Sequence, residues 1–241
     1  ILMKLSFLKP QSVEFGTIAS SLIGQAKFSD IVVVNKMKLT DNVIRETMFS
    51  GRLSLSKLTL LKNFIKTVRL TMEGRVEDVM SITNTFKDLV IGGALSITKA
   101  QMSKTTVEDM IVKGIVSLKG VHCDRGVFTD FFITHDLAAE KLSLGRSILK
   151  EISIGGGASV ENLKLSDTSI FDSELHGSSM LHDLRFRGAK LEGIKVFSTM
   201  VVNAFQATTS SLMEISLLKD LALSTGTFKR SEVRNSYFLG S

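Results

Sequence analysis

The amino-acid sequence repeats itself every 21 residues, and this period restricts the fold more than any other feature of the chain. The repeat keeps its phase without an insertion or deletion. Successive coils begin at Leu5, Ala26, Thr47, Val68, Leu89, Met110, Phe131, Ile152, Ser173, Ile194, Ile215 and Ser236. Positions within a coil are numbered 1 to 21 from these residues. A repeated unit of this kind is typical of solenoids, in which each unit contacts only its neighbours along one axis.

The apolar residues of each coil fall in pairs that predict strands. They recur at positions 1, 3, 7, 9, 12, 14 and 19, whereas position 17 carries small or polar residues such as Asn42 and Thr105. A spacing of two places both side chains of a pair on the same side of a strand, so each coil has four short strands. We therefore predict an all-β fold, a single-stranded parallel β-helix solenoid of about 11.5 coils that extends over residues 1–241 as one unit.

One corner of each coil contains an extra residue, between positions 3 and 7. Position 5 of this corner is glycine at Gly51, Gly93, Gly114, Gly156 and Gly177. Because glycine adopts positive φ without steric cost, we expect the chain to turn there through the left-handed region.

A leucine-rich-repeat solenoid is the alternative fold. Its L-x-x-L-x-L-x-x-N-x-L core matches positions 9, 12, 14, 17 and 19, as in Val160, Leu163, Leu165, Thr168 and Ile170. Asparagine, however, occupies position 17 in only three of eleven coils, and positions 1 and 3 add a strand-like pair where that family has a looser segment. Repeats of two helices need longer units and a different apolar spacing.

The four-sided coil, with a small residue two positions before a large apolar one as in Asn42 and Ile44, resembles the pentapeptide-repeat family of right-handed quadrilateral β-helices. The coil is one residue longer, and the family signature A-[DN]-L-x-x is not kept. The best-known members mimic DNA with an acidic surface and inhibit topoisomerases, and the net charge of +6 argues against that role. The stacking is also similar to bactofilins, which polymerise end to end, and to β-helical stalks of bacterial surface and secreted proteins.

Composition leaves few routes to catalysis. The hydrophobic fraction of 44% excludes intrinsic disorder, and no run of apolar residues is long enough for a membrane span. The single cysteine, Cys123, excludes an internal disulfide and falls on inward position 14, where we expect it to be buried. Coils of equal length lack the long loops that wall the active sites of β-helical lyases and hydrolases. We therefore expect no enzymatic activity and no cofactor.

Position 21 is an acidic column. Its acidic members are Glu46, Asp88, Asp109, Asp130, Glu151, Asp172 and Glu214. Carboxylates stacked about 4.8 Å apart repel one another, so we expect basic residues at positions 16 and 20 to neutralise them. A weak calcium site between Asp88, Asp109 and Asp130 is the alternative interpretation, because calcium binds carboxylate oxygens.

Outward-facing apolar residues predict a docking surface, which we call the apolar ridge. The ridge consists of Met48, Val90, Ile111 and Phe132 at position 2 and of Val43, Phe64, Val127 and Ile148 at position 18. A solenoid has no structural need to expose apolar side chains in register, so the ridge predicts a protein partner or self-association. One tyrosine and no tryptophan leave few platforms for stacking bases, so no nucleic-acid partner is expected.

The sequence carries no polar cap at its ends. Ile1 and Leu2 occupy positions 18 and 19 of a preceding coil, and Ser236, Tyr237 and Phe238 continue into the next coil. Since an open strand edge recruits other strands, we expect either a segment of a longer β-helix or a unit that stacks end to end through its open ends.

The leading functional expectation is a non-catalytic rod, acting as the stalk or scaffold of a larger bacterial protein. The sequence leaves its location open between the bacterial surface or secretion, which is slightly favoured, and the cytoplasm. A bactofilin-like polymerising module is the alternative, and a carbohydrate-active enzyme on a β-helix is the third interpretation.

Overall fold

The computed structural model describes residues 2–3, 6–7, 11–28 and 31–238, so that Ile1, assigned above to the open end, lies outside the described residues. Within these residues the chain forms strands and no helix. The strands are β1 (Leu2–Met3), β2 (Ser6–Phe7), β3 (Gln11–Ala19), β4 (Leu22–Gly24), β5 (Lys27–Phe28), β6 (Val32–Thr40), β7 (Val43–Phe49), β8 (Leu53–Leu61), β9 (Phe64–Leu70), β10 (Gly74–Ile82), β11 (Thr85–Ile91), β12 (Leu95–Ser103), β13 (Thr106–Val112), β14 (Val116–Lys119), β15 (His122–Asp124), β16 (Val127–Ile133), β17 (Leu137–Glu140), β18 (Ser143–Gly145), β19 (Ile148–Ile154), β20 (Ala158–Ser166), β21 (Ser169–Phe171), β22 (Glu174–Leu175), β23 (Ser179–Arg187), β24 (Lys190–Glu192), β25 (Lys195–Val196), β26 (Met200–Thr208), β27 (Ser211–Met213), β28 (Ser216–Leu217), β29 (Leu221–Leu223), β30 (Gly226–Lys229), β31 (Glu232–Arg234) and β32 (Tyr237–Phe238).

The strands stack in parallel into two sheets that follow the solenoid axis. One sheet takes positions 18 to 3 of the coils, and the other takes positions 7 to 15. The pairing register is constant, since Val76 in β10 lies between Leu55 and Ile97, which are 21 residues away on either side. The result is a parallel β-solenoid of about ten turns with about 21 residues per turn, which confirms the predicted fold class.

The leucine-rich-repeat alternative is wrong. In the coil that contains β7 and β8, strands cover positions 18 to 3 as well as positions 7 to 15, so every side of the coil is extended. No described residue is helical, and positions 1 and 3 form a strand in the place where that family has a looser convex segment.

The inward columns inferred from the sequence form the core. Val112 and Ile133, one above the other at position 3, are 0% and 1% exposed, and Leu165 at position 14 is 1% exposed. Buried clusters extend along several coils because each apolar side chain packs on its equivalents above and below. Burying one such side chain completely contributes about 1.5–3 kcal/mol to folding.

A ladder of buried amides runs along position 17 in the first part of the solenoid. The backbone N–H and the side-chain Nδ2 of Asn42 both donate to Oδ1 of Asn63, each at 3.0 Å. Asn63 repeats the arrangement with Oδ1 of Asn84, at 2.8 and 3.0 Å, and its Nδ2 also donates to the Leu39 carbonyl at 3.0 Å. Each side chain therefore satisfies polar groups of two coils in an otherwise apolar interior.

In later coils, serine hydroxyl groups at position 17 make the equivalent hydrogen bonds to the backbone. The Gly126 N–H donates to Oγ of Ser147 at 3.1 Å, and that hydroxyl donates to the Gly145 carbonyl at 2.9 Å. Ser210 and Ser231 repeat the pattern further along the solenoid. Position 17 is small or polar because it must supply this hydrogen bonding without filling the space that larger core residues occupy.

Three of the four corners turn through left-handed residues, at positions 11, 16 and 21. Lys57, Lys62 and Asp88 illustrate them, with φ of 52°, 51° and 53°. Such conformations are unfavourable for most residues other than glycine, asparagine and aspartate. The stacking holds them in place, because the Lys62 N–H donates at 3.0 Å to the carbonyl of Ile82 in the next coil.

The fourth corner corrects a prediction. None of the five position-5 glycines, all in the described part of the chain, has positive φ. Positive φ occurs instead at Gly120, Gly188 and Gly193. A Cβ added to Gly114 would lie 2.6 Å from the carbonyl carbon of Gly93 and 2.7 Å from the nitrogen of Ala94. Glycine is therefore needed here because consecutive coils approach each other closely, not because the backbone is left-handed.

The amide ladder predicts a large stability loss for Asn63→Ala. The change leaves the Asn42 N–H and the Leu39 carbonyl without partners in a buried place, which we expect to cost roughly 3 kcal/mol or more. The half-buried Asn203, at outward position 10, is the matched control, and Asn203→Ala is expected to change stability by less than about 0.5 kcal/mol. Urea unfolding of the two variants measures both values, and equal losses would contradict the role of the ladder.

The close approach at position 5 predicts that Gly114→Asn is destabilising by about 1–3 kcal/mol. Asparagine tolerates the left-handed region, so a conformational role for this glycine would make the change nearly neutral. Gly120→Asn is the control, because Gly120 has φ of +62°, the nearest atom to its Cβ position is 4.0 Å away, and Asn162 already holds this conformation in the same column. Thermal unfolding should separate the two variants, with Gly120→Asn close to the parent chain.

Candidate functional site

The structure places the position-2 part of the apolar ridge on the outside of the first sheet. Ile111 and Phe132 pair in register and are 38% and 42% exposed. Met48 and Val90 are half-buried, and Arg69 separates them within the column. The most exposed apolar part of this column is therefore the Ile111 and Phe132 pair.

The position-18 part lies on the adjoining side of the same sheet. Ile148 is 44% exposed and pairs in register with Val127, which is half-buried. Val43 and Phe64 are half-buried, and the Arg45 guanidinium lies over the Phe64 ring at 5.8 Å. A corner at position 21 separates the two columns, so the ridge consists of two apolar strips rather than one continuous patch. Its role as a partner surface stays a prediction.

The corner between the strips carries the acidic column, and lysines at position 20 neutralise part of it as expected, whereas Arg125 and Arg146 at position 16 pair with Asp124 instead. Lys66 lies 3.7 Å from the Asp88 carboxylate, and Lys87 lies 3.7 Å from that of Asp109. Asp130 donates a hydrogen bond to Glu151 in its protonated form, and this bond together with the neighbouring negative charge raises the pKa of Asp130. Like charges stacked at one corner thus favour a shared proton there.

The calcium candidate Asp88, Asp109 and Asp130 occupies three consecutive coils of this corner. Among the residues that the structure describes, no three His, Cys, Asp or Glu side chains are grouped so as to hold a metal ion. The calcium site remains a prediction, which a melting curve with and without calcium would test.

Cys123 lies at inward position 14 and is 0% exposed. Burial raises the pKa of its thiol to about 11, so the thiolate needed for nucleophilic attack is scarce at neutral pH. The residue packs with Leu144 and Leu165 of the following coils as a small apolar side chain.

A strongly basic surface, which the sequence reasoning did not single out, lies on one side of the second sheet. This basic face, positions 11 to 16 of the coils, carries 14 Lys and Arg against 5 Asp and Glu, a net charge of +9. Its cations are Lys36, Lys38, Lys57, Lys62, Lys99, Lys104, Arg125, Lys141, Arg146, Lys164, Arg185, Arg187, Lys229 and Arg230, and all are exposed. Since the whole chain has a net charge of +6, the remaining positions sum to −3. Counting charge by column, rather than along the chain, would have found this face.

Two shallow depressions lie along the position-11 edge of the basic face. Their volumes are about 510 and 560 Å³, and Lys57 and Thr59 line both. Lys36 and Lys38 also line the first, and Lys99 also lines the second. Asp78, which lies between Lys57 and Lys99 at position 11, also lines the second depression.

Comparisons with known proteins bear on the architecture only. No protein-family model matches the chain, and no curated protein matches it. Among solved structures it is similar to HetL, a pentapeptide repeat protein involved in heterocyst differentiation regulation from the cyanobacterium Nostoc sp. strain PCC 7120. The identity is 13%, the match covers 94% of this chain and 89% of that chain, and the TM-score is 0.44.

The strand pairing and burial described above define a pentapeptide-repeat-like β-solenoid, as the sequence predicted. The described residues contain no helix with the length and apolarity that a membrane crossing needs.

The acidic corner predicts a pH-dependent effect of Asp130→Asn. The pKa of Asp130 is raised in the folded chain, so ionisation above its ordinary pKa of about 4 opposes folding. Removing the charge should therefore raise the melting temperature at pH 7. The gain should vanish near pH 3, where the Asp130 carboxyl is protonated in the folded and in the unfolded chain.

Asp124→Asn is the control with the opposite sign. Arg146 donates to Asp124 at 2.9 Å and lowers the pKa of that carboxyl. Its stabilising effect is present above the ordinary pKa of aspartate and is lost as the pH falls through the lowered value. Asp124→Asn should therefore lower the melting temperature at pH 7. Equal changes in melting temperature for Asp130→Asn and Asp124→Asn would contradict the conclusion that like charges repel at the acidic corner.

Proposed function

We propose that this chain is a non-catalytic rod that holds proteins at fixed positions along its side, as the stalk or scaffold of a larger protein. The observation that carries the proposal is the uniform coil, which repeats in one register without an inserted loop through the described turns. A solenoid of this kind has straight sides, and each coil is supported by the coils before and after it. The similarity to bacterial β-helical stalks is the ground for expecting a bacterial parent protein.

The surface that we propose for protein contact is the apolar ridge, and its occupant is a second copy of the chain. A β-solenoid offers apolar rows at intervals of about 4.8 Å, and an identical rod laid alongside offers rows at the same interval. Ile111, Phe132 and Ile148 are the exposed apolar side chains of two consecutive coils on these two strips. Burying these side chains on both copies contributes several kcal/mol in favour of a concentration-dependent pair of rods.

Analytical ultracentrifugation across a concentration series tests this proposal. We expect the mass to rise from 26.4 kDa towards twice that value. The double variant Ile111→Lys with Phe132→Lys should weaken association by more than tenfold, because each lysine removes about 1.5 kcal/mol or more of apolar burial. Lysine suits this column, since Lys27 and Lys195 occupy it in other coils.

Met180→Lys is the matched control, because Met180 is 59% exposed and lies on another side of the coil, at position 8. It should leave association unchanged. A chain that stays at 26.4 kDa at every concentration, or a double variant that associates as before, would overturn the lateral contact. Uniform filaments in negative-stain electron microscopy would replace it with end-to-end polymerisation.

A further inference from the structure

The positive charge of this chain is segregated to one side of the solenoid. The basic face has a net charge of +9, while positions 17 to 21, which include the acidic corner, carry ten carboxylates against seven basic residues. Positions 11 and 21 lie at opposite corners of the coil, so the rod is electrically polarised across its width. A mild overall charge of +6 conceals this separation.

Ion pairs with carboxylates are less frequent among the cations of the basic face than among the described cations on the other sides of the coil. On other sides Lys87 pairs with Glu108 at 2.9 Å, and Lys195 pairs with Glu174 at 3.2 Å. On the basic face, ion pairs between described residues involve Arg125, Lys141, Arg146 and Arg185. The exposed cations that pair with no carboxylate in the described part of the chain are Lys38, Lys57, Lys62, Lys99, Lys104, Lys164, Arg187, Lys229 and Arg230. This surface is therefore rich in unneutralised charge that an external anion can meet.

The face is also broad and regular. Positions 12 to 15 of successive coils are strands in register, such as those of β8, β10 and β12, so no loop stands above them. The face is about 16 Å wide from one corner to the next and extends about 4.8 Å further with each coil. Among the cations, Met80 and Ile82 are 44% and 36% exposed.

We propose that the basic face binds the surface of an anionic lipid bilayer. A two-dimensional array of Lys and Arg on a flat sheet complements a plane of negative headgroups. Exposed apolar side chains such as Met80 can insert at the boundary between the headgroups and the acyl chains. A nucleic-acid duplex is a curved ligand that would touch such a sheet along a narrow line. Among the described residues of this face, the exposed aromatic rings are His122 and Phe228, which lie five coils apart and form no continuous platform for stacking single-stranded bases.

The rod in this arrangement would lie along the membrane. The acidic corner would face away from the lipid, because it is diagonally opposite the position-11 edge. The apolar ridge flanks that corner, so it would stay accessible to a protein while the basic face is occupied. Membrane binding and lateral self-association can therefore be measured independently.

Co-sedimentation with vesicles tests the proposal. The probe is a phosphatidylcholine vesicle containing one-third phosphatidylserine, with pure phosphatidylcholine for comparison. We expect binding to the anionic vesicle alone, weakened by raised salt, because each cation near the surface strengthens partitioning by about fivefold. The triple variant Lys62→Gln, Lys104→Gln and Lys164→Gln should then bind about 100-fold more weakly.

The control removes the same charge from another side. Arg69, Lys113 and Lys219 are exposed and lie outside the basic face, and their triple replacement by Gln should reduce binding by less than tenfold. All six substitutions are at exposed positions, and matching melting temperatures verify that folding is retained. Equal losses in the two triple variants would overturn the assignment to this face. Binding to a short DNA duplex or an acidic polysaccharide in place of the vesicles would overturn the lipid surface as the partner.

Discussion

Stacking of consecutive strands at a fixed spacing is the constraint on which the rest of this structure depends. Because the register between coils is 21 residues throughout, each side chain lies on its own equivalent in the next coil. Inside the solenoid this arrangement favours side chains that pack well on copies of themselves. Asparagine is such a side chain, since its amide can donate to one neighbour and accept from another, as in Asn42, Asn63 and Asn84. Outside, the same arrangement stacks like charges, as at the corner where Asp130 and Glu151 meet.

The inward columns could be read from the sequence because burial leaves a chemical signature in every coil. Val112, Ile133 and Cys123 lie where the spacing of apolar residues placed them. The corners could not be read in this way. Lysine at position 11 and threonine at position 16 give no hint of left-handed backbone, yet Lys57 and Thr83 have φ of 52° and 55°. Their conformation comes from the hydrogen bonds of neighbouring coils, which override the local preference of the residue.

Glycine at position 5 could be recognised in the sequence, but its structural reason could not. Sequence reasoning assigned it to backbone freedom, and the structure assigns it to the small distance between Gly114 and the backbone of the coil before it. Both explanations select the same residue, so composition cannot distinguish them. For the surface, the ridge residues Ile111 and Phe132 were found because apolar residues at outward positions are unusual. The basic face was missed because lysine on a surface is ordinary, and only its collection on one side of the coil is informative.

The equal length of the coils also bears on how such a protein can change over generations. Loss or gain of one whole 21-residue unit would leave every remaining column in register and alter the length of the solenoid by about 4.8 Å. Loss or gain of a single residue would instead misalign the columns of the affected coil with those of its neighbours. The length of this architecture therefore changes in steps of one coil. Such a step alters the distance between two proteins bound along the solenoid and leaves the core residues unchanged.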